Sequence, residues 1–295
     1  MKVSTSGYYA WCNRKVSARA QQNLELVTAI KRLHKGRRRC YGSPRVHLDL
    51  IDQGYACGRH RVARLMRAHG IVAERTRRYR SNRAREDLYA RFENRLLQRS
   101  AASRPNELWV GDYTYLRTPQ GWLYLAVVLD LYARRVIGWA FSRQRTAILP
   151  REALRMAIDE RQPLPGTLFH SDQGIEYAAH TFQLLLAAYQ LQPSMSRRGN
   201  CYDNAHMESF FASLKLEVGG AFRSATDAIA KIRSYIHFYN HERRHSSLNY
   251  LSPVQYETLV TQRVHFIGAS SARISASGAD NASARTRVGS TARRT

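Results

Sequence analysis

The sequence has no long apolar run and no paired cysteines. Its longest apolar candidate, Leu123–Leu131, is short and contains Asp130, so no membrane-spanning helix is expected. The first residues do not lead into the apolar stretch of a secretion signal. The four cysteines, which form no CxxC pair, are Cys12, Cys40, Cys57 and Cys201. This spacing argues against a disulfide framework and structural zinc, and it predicts a cytoplasmic protein without membrane contact.

Acidic residues are also scarce. The 295 residues include 47 Lys+Arg and 22 Asp+Glu, a formal net charge of +25. Most of the basic residues are arginine, whose planar fork suits phosphate groups. Residues 1–104 hold +18 of the excess, residues 105–267 hold +3 and residues 268–295 hold +4. This concentration predicts a polyanionic partner, above all nucleic acid, while the 44% hydrophobic content excludes a wholly disordered or fibrous chain.

Three short helices are predicted between residues 21 and 70. In the first, apolar residues recur at helical spacing: Leu24, Val27, Ile30 and Leu33. The second is predicted to begin with Ser43 as its N-cap and Pro44 at the first helical position. The apolar face of this second helix comprises Val46, Leu50 and Ile51.

The third helix carries the basic residues that suggest DNA binding. Its inward-facing residues are expected to be Val62, Leu65 and Met66, and its arginine stripe comprises Arg61, Arg64 and Arg67. Two short helices joined by a glycine-containing turn are typical of a helix-turn-helix. A basic helical bundle with a solvated face is the alternative, but Arg77 and Arg78 in the following basic run favour DNA. Residues 1–73 are therefore predicted as a helical DNA-binding module, followed by a basic linker at 74–104 with a short helix near 86–97.

From residue 105 the sequence predicts an α/β domain that extends to residue 267. Three consecutive antiparallel strands are expected at Leu108–Leu116, Trp122–Leu131 and Arg135–Phe141. Helices and strands then alternate: helix Ala147–Asp159, strand Thr167–His170, helix Thr181–Tyr189, strand Gln192–Met195, and helices Asp203–Glu217 and Thr226–Asn240. This order is typical of a mixed five-stranded sheet with flanking helices. The Ser/Ala/Arg-rich tail at 268–295 has little to bury and is expected to be disordered.

Three acids stand where a purely structural role is hard to explain. Asp112 interrupts an apolar strand, and Asp172 lies at a strand end before a turn. Glu208 belongs to a helix on which Asn204 and Lys215 share its side. Carboxylate oxygens are the ligands that Mg²⁺ takes, and two such ions can activate the attacking oxygen and stabilise the leaving oxygen in phosphoryl transfer. A DNA-binding module joined to such a site predicts an enzyme that acts on the DNA backbone.

Other acids and histidines near these segments are expected to be structural. Asp130 is predicted to serve a turn or an arginine, Asp203 to cap the Glu208 helix, and Glu176 to lie no nearer than the surroundings of the site. His170 is expected to be packed in its strand. Three further histidines have a spacing that could mimic a metal site: His237, His241 and His245. Packing or a DNA-facing role is preferred over zinc there, because aromatic and arginine residues interleave with them.

The motifs taken together resemble those of a transposase family. The matching strings are Ser6–Trp11, Tyr41–Arg45, Trp109–Tyr115, His170–Gly174, Asp203–Ala205 with Glu208–Phe211, Leu214–Lys215, and Tyr239–Asn240 with Arg243–His245. Asp112, Asp172 and Glu208, the last two with 35 residues between them, resemble the DDE triad of the integrase and transposase superfamily. The surrounding strings are similar, over residues 4–260, to the second-frame (OrfB) transposases of the third bacterial insertion-sequence family.

This resemblance implies an RNase H-like catalytic core behind the helix-turn-helix module. It implies that Asp112, Asp172 and Glu208 bind two Mg²⁺ or Mn²⁺ ions, and that water and then a freed 3′-hydroxyl attack phosphodiester bonds at the element's end and at the target. Lys215 matches a position thought to contact DNA. The implied partners are double-stranded DNA of the terminal repeats and the target, further copies of the chain, and the product of an upstream frame, commonly as a frameshift fusion. The implied place is the bacterial cytoplasm, at the nucleoid.

Two alternatives stay open from the residues. One is a non-catalytic DNA-binding regulator encoded by such an element, and the other is a metal-dependent nuclease, since one fold serves several activities. Gly111 and Tyr113 depart from the residues that the family often has beside Asp112, which bears on packing and not on the acid itself. The residues predicted to contact DNA are Lys215, Arg61, Arg64, Arg67, Arg77, Arg78 and Asn204.

Overall fold

The computed structural model describes residues 4–13, 17–74, 92–98, 101–197 and 204–260. The chain divides into two compact units, residues 1–82 with 212–219 and residues 83–211 with 220–295. Outside the described residues lie the predicted tail, Arg77, Arg78, Asp203 and most of the predicted linker helix. In the described part of the linker, Arg95–Gln98 form a 3₁₀-helix. No helix within the described ranges is long and apolar enough to cross a membrane.

The described part of the first unit is helical. Its helices are α1 (Thr5–Cys12), α2 (Ala18–Gly36), α3 (Ser43–Asp52) and α4 (Arg59–Ala68). Ser4 and Ser17 cap α1 and α2, because their side chains accept a hydrogen bond from the backbone N–H three residues later. α2, α3 and α4 pack on one another, and the inward positions predicted for α4 are all buried. The expected helical module is therefore present.

One detail of the predicted module is wrong at a helix end. Ser43 is the first helical residue and not the cap; Gly42 takes the cap position without a side-chain bond. The shift is tolerated because Pro44 has no N–H to satisfy in the first turn. Leu24 of α2 is 60% exposed, whereas the buried residues of this helix lie within 26–34. With 19 residues, α2 extends beyond the ten-residue helices α3 and α4 against which it packs.

The predicted inward face of α3 also needs one correction. Ile51 is 45% exposed, and the buried residues of α3 are Val46, Asp49 and Leu50. Asp49 can occupy this apolar face because Arg37 pairs with it, with Nε 2.9 Å from Oδ2. An ion pair therefore replaces the apolar contact that the sequence pattern predicts.

The second unit is built on a mixed five-stranded sheet. Its strands are β1 (Leu108–Thr118), β2 (Gly121–Asp130), β3 (Arg135–Ser142), β4 (Leu168–Ser171) and β5 (Gln192–Met195). Their order is β3-β2-β1-β4-β5. β1–β2 and β2–β3 are antiparallel, whereas β1–β4 and β4–β5 are parallel. This confirms the predicted mixed sheet, with strand ends within two residues of the prediction.

Helices follow the strands along the chain. They are α5 (Ile148–Arg161), α6 (Ile175–Ala178), α7 (His180–Ala188), α8 (Ala205–Val218) and α9 (Ala225–His241), then a 3₁₀-helix at Ser246–Leu248 and a helical stretch at 253–260. The core on one side of the sheet joins strand residues such as Trp109 and Phe169 with Leu154 of α5 and Phe182 of α7. Burial of these large apolar side chains fixes the helices against the strands.

Asn240 of α9 fastens that helix to β3. Its Nδ2 donates to the carbonyl oxygen of Val136 at 2.8 Å, and its Oδ1 accepts from the N–H of the same residue at 3.0 Å. Both groups are buried, so the amide side chain satisfies a peptide unit that would otherwise lose its bonds to water. These bonds to the β3 backbone explain why a polar residue, Asn240, is buried at this position.

Gly138 sets the distance between β3 and α5, and we expect Gly138→Ala to be destabilising. A Cβ at this position would lie 2.2 Å from the carbonyl oxygen of Ala153 and 2.8 Å from the N–H nitrogen of Ala157. The helix backbone would have to move, so we expect the free energy of unfolding to fall by about 1–3 kcal/mol. Denaturant unfolding measures this change. In the matched control Gly220→Ala the added Cβ has no atom within 4 Å, so equal stability losses in the two variants would contradict the close approach.

Candidate active site

Asp112 and Asp172 are brought to one edge of the sheet by the pairing of β1 with β4. The two strands run parallel, and the last residues in register are Gly111 and Ser171. Asp112 follows Gly111 within β1, and Asp172 directly follows β4. Because adjacent strands lie about 4.8 Å apart, residues in equivalent positions on the two strands are neighbours. The structure therefore unites two of the three predicted acids.

Asp112 is only 4% exposed, and two described hydrogen bonds hold its carboxylate. Its Oδ1 accepts from the N–H of Tyr113 at 2.8 Å, and its Oδ2 accepts from Nδ2 of Asn204 at 3.0 Å. Asn204 directly precedes α8 and is itself 2% exposed. The structure does not support the predicted DNA contact of Asn204. Its side chain is buried, and its amide faces Asp112 instead of the surface.

Asp172 lies in a tight turn after β4. Its Oδ1 accepts from the N–H of Gly174 at 3.0 Å, and its backbone oxygen accepts from Ser171 Oγ at 3.0 Å. A Cβ on Gly174 would lie 2.9 Å from Asp172 Oδ1 and 3.2 Å from Glu176 Oε2. Glycine at this position therefore lets both carboxylates approach the turn backbone.

Glu176 lies in the surroundings of the site, as expected, but its group with Arg145 and Tyr113 was not predicted from the sequence. Glu176 is 4% exposed, and both of its oxygens accept from Arg145, one from Nε and the other from Nη2 at 3.4 Å. The hydroxyl of Tyr113 donates to Glu176 Oε2 at 3.4 Å, and the Arg145 guanidinium lies 5.5 Å from the centre of the Tyr113 ring. No sequence signal links Arg145 to Glu176, because the arginine stands 31 residues earlier in a loop.

Tyr177 shows that negative charge gathers at this edge of the sheet. Its side chain is buried against Phe169 and Phe182, with ring centres 6.3 Å and 5.3 Å away. Burial raises the pKa of Tyr177 well above its usual value, and the charges of Asp112 and Asp172 raise it further. The phenol therefore stays neutral over the physiological range and adds no charge to the site.

Glu208 and Lys215 both lie on α8, whose first turn contains Glu208. Glu208 is half-buried and follows Asn204 by one helical turn. Across the part of the chain that the structure describes, no three His, Cys, Asp or Glu side chains come together in a way that could hold a metal ion. The third acid is thus placed one turn from a residue that touches Asp112, and its membership of a metal site stays a prediction.

The donor chemistry at the aspartate pair suits a hard divalent cation. Both aspartates offer carboxylate oxygens, which Mg²⁺ and Mn²⁺ prefer. Oδ1 of Asn204 is buried, and no described residue donates a hydrogen bond to it. Among the described residues this oxygen therefore has no donor, which is compatible with a cation and its bound waters near the Asn204 amide.

Two of the remaining candidates have the structural roles expected of them. Asp130 is 1% exposed and pairs with Arg161, whose Nη2 lies 3.3 Å from Oδ2. Burial raises the pKa of Asp130, opposed by backbone N–H donors and by Arg161. His170 is fully buried between Ser194 and Ser196, with ring nitrogens 2.9 Å and 3.1 Å from the two hydroxyls. The turn-or-arginine role of Asp130 and the packed state of His170 are confirmed.

The three spaced histidines do not converge in the described structure. His237 and His241 are exposed and stack on each other, with ring centres 4.5 Å apart. Burial and the nearby His237 and Arg135 lower the pKa of His241. His245 is buried, and its ring meets that of Tyr239 edge-on at 4.6 Å. His245 therefore packs against Tyr239.

The arginines of α4 divide into two kinds. Arg64 and Arg67 are exposed, as a DNA-contacting stripe requires. Arg61 is half-buried, and its Nε donates to Oδ1 of Asn23 on α2 at 2.9 Å. Arg61 therefore ties two helices of the module together, which leaves less of its side chain for DNA than the stripe pattern predicts.

Comparison with known proteins identifies both units. An HTH-like domain family matches residues 21–79, and two integrase core domain families match residues 102–201 and 189–253. The Transposase InsF for insertion sequence IS3A of Escherichia coli (strain K12) is 40% identical over 262 residues, which are 87% of this chain and 91% of the relative. The chain belongs to the IS3-family transposases. The insertion element IS600 uncharacterized 31 kDa protein of Shigella sonnei is 38% identical over 86% of this chain and 94% of its own length.

The transposase also has a structural neighbour among integrases. The HTLV-2 integrase catalytic core domain in complex with magnesium is 18% identical, with a TM-score of 0.43, and the match covers 52% of this chain and 98% of that one. Within the transposase, the first integrase core match includes Asp112 and Asp172, and the second includes Glu208. The family matches confirm the resemblance, and the helical module followed by the mixed five-stranded sheet confirms the expected fold class.

We expect Gly174→Ala to disable the site without unfolding the transposase. The added Cβ would meet Asp172 Oδ1 at 2.9 Å, so the carboxylate would have to rotate away from the Gly174 N–H. Misplacement of a group that serves a reaction costs about 10²-fold in rate, so a DNA cleavage that depends on Asp172 should slow by a similar factor. Cleavage of a DNA end and the thermal midpoint are measured together. A variant with full cleavage would show that the position of Asp172 is not critical.

Asn204→Ala tests the contact between α8 and the buried aspartate. Loss of the amide removes a hydrogen bond to a charged group, so we expect the free energy of unfolding to fall by about 1–3 kcal/mol in metal-free buffer. The matched control is Ser209→Ala, because Ser209 is exposed on α8, the helix that follows Asn204. If both variants unfold at the same denaturant concentration as the parent, Asn204 does not stabilise Asp112.

Proposed function

We propose that this transposase cleaves DNA at the ends of its insertion sequence and joins the freed ends to target DNA in a Mg²⁺-dependent reaction. The observation that carries the proposal is the union of Asp112 and Asp172 at one edge of the sheet within an integrase core domain. Two carboxylates beside parallel strand ends suit phosphoryl transfer, in which a cation must face the phosphate. The substrate would be double-stranded DNA of the terminal repeats and of the target.

Asp112 and Asp172, with Glu208 as the third ligand, would hold two Mg²⁺ or Mn²⁺ ions. When bound, such ions activate the attacking oxygen and stabilise the leaving oxygen of a phosphodiester. The residues of the chain orient these ligands. Asn204 and the Tyr113 N–H hold Asp112, while the Gly174 N–H holds Asp172. Fixed carboxylates of this kind lose little freedom when a cation binds.

The basic module would supply most of the DNA affinity. Residues 1–104 carry a net charge of +18, and contacts from such residues to phosphates position a protein on the duplex. The residues proposed to make these contacts are Arg61, Arg64, Arg67, Arg77, Arg78 and Lys215. Two DNA ends must be joined to one target, so we infer that the active form contains more than one copy, with the upstream-frame product or a fusion to it as a further partner.

Asp172→Asn should abolish cleavage and joining while the protein still binds DNA. The amide keeps the size of the side chain and an oxygen for the Gly174 N–H, but it removes the charge that a divalent cation needs. We expect a loss of about 10³-fold or more in rate. The assay follows labelled terminal-repeat DNA in the presence of Mg²⁺ and a target plasmid, with and without the upstream-frame product.

The products separate this function from its alternatives. Joined product that requires Mg²⁺ supports transposition, and cleavage without joining supports a nuclease. Binding without chemistry, in every protein combination, supports a regulator. Salt-dependent DNA binding by the Asp172→Asn protein is the control for folding, because the variant leaves the basic module unchanged.

A further inference from the structure

Arg145 presents a fixed guanidinium at the edge of the candidate active site. Glu176 accepts from its Nε and Nη2, and the Tyr113 ring lies beneath it at 5.5 Å. The two partners hold the guanidinium from different directions. The Arg145 side chain nevertheless keeps 40% of its surface exposed, whereas that of Glu176 keeps 5%. The arginine is therefore the solvent-facing member of a pair whose acid is buried.

The pair adjoins both aspartates. Tyr113 directly follows Asp112, and the Gly174 Cβ position lies within 2.9 Å of Asp172 and 3.2 Å of Glu176. Three carboxylates thus surround this edge of the sheet, and each acts electrostatically on the buried Tyr177. A DNA backbone that approaches such a group meets repulsion, which a cationic side chain at the edge would offset.

We propose that Arg145 binds a backbone phosphate of the DNA strand that lies at the Asp112–Asp172 edge, and that Glu176 and Tyr113 hold it in position for this contact. The inference rests on the proposed function, because it requires DNA at the site. An exposed arginine usually loses rotamer freedom when it binds a phosphate, but contacts with Glu176 and Tyr113 already order this one. Its planar fork can take a phosphate oxygen through the exposed part of the side chain.

A purely structural role makes a different prediction. If Arg145 served only to neutralise the buried Glu176, its charge would be unnecessary once Glu176 were made neutral. If it binds a phosphate, the contact persists in that background. Glu176→Gln keeps the shape and an acceptor for the Tyr113 hydroxyl, so it separates the two roles. It also removes the unpaired buried charge that would otherwise threaten the folding of Arg145→Ala.

The experiment measures binding of a fluorescent terminal-repeat duplex to the full chain in EDTA, so that no chemistry occurs. We expect Arg145→Ala to weaken binding about ten-fold, and the slope of log K against log salt to decrease by about one. The same losses should appear when Arg145→Ala is added to Glu176→Gln. Arg151→Ala is the matched control, because Arg151 is also a partly exposed arginine paired with a glutamate, and it should bind as the parent does.

Single neutral methylphosphonates around the reactive end then locate the contact. A methylphosphonate at one position should weaken binding by the parent but not by Arg145→Ala, since the methylphosphonate and the substitution remove the same interaction. If the affinity losses from the methylphosphonate and from Arg145→Ala add at every position, the proposal is overturned. Parent-like binding by Arg145→Ala, or restoration of parent affinity in the Glu176→Gln double variant, would overturn it as well.

The outcome is distinguishable from failure of the proposed function. If the parent binds DNA but neither cuts nor joins it, a position-specific effect of Arg145→Ala still establishes the phosphate contact. If the parent cuts and joins DNA while Arg145→Ala binds normally, only the phosphate contact is rejected.

Discussion

The parallel pairing of β1 with β4 is the constraint on which the candidate site depends. Gly111 lies opposite Ser171, so the two aspartates follow at equivalent positions. A shift of one residue would turn one carboxylate to the other face of the sheet. Gly111 protects this register, because a Cβ there would lie 2.5 Å from the Phe169 ring. The departure from the family pattern at Gly111 therefore has a packing reason, because the Phe169 side chain of β4 covers β1 at this position.

Carboxylates gathered at one edge repel one another, and the chain orients them with separate donors. A backbone N–H and the Asn204 amide hold Asp112, and the Gly174 N–H holds Asp172. These three donors are neutral, so each of them fixes a carboxylate without cancelling its charge. Glu176 instead receives the guanidinium of Arg145. Among the described contacts, Asp112 and Asp172 are held by neutral donors, whereas Glu176 holds an arginine.

The sequence predicted the elements with strong periodic patterns and the acids that break them. Asp112 was recognisable because its neighbours are apolar, and Asp172 because a strand ends before it. The side that Asn204 shares with Glu208 was also predictable, but not that Asn204 turns toward β1, since helical spacing does not specify which neighbour a face meets. Arg145 carries no local pattern at all. Its role arises from a contact across 31 residues, which only the folded chain creates.

The distribution of charge follows from two opposing requirements. DNA attraction needs many positive charges and acts over a distance set by salt, whereas cation binding needs negative charge that arginines have not neutralised. The chain separates the two by placing +18 in residues 1–104 and only +3 in residues 105–267. An arginine at the site itself would weaken the hold of the aspartates on a cation unless its charge were matched. Glu176 matches it, so the pair adds no net charge while a planar donor remains at the edge where DNA would approach.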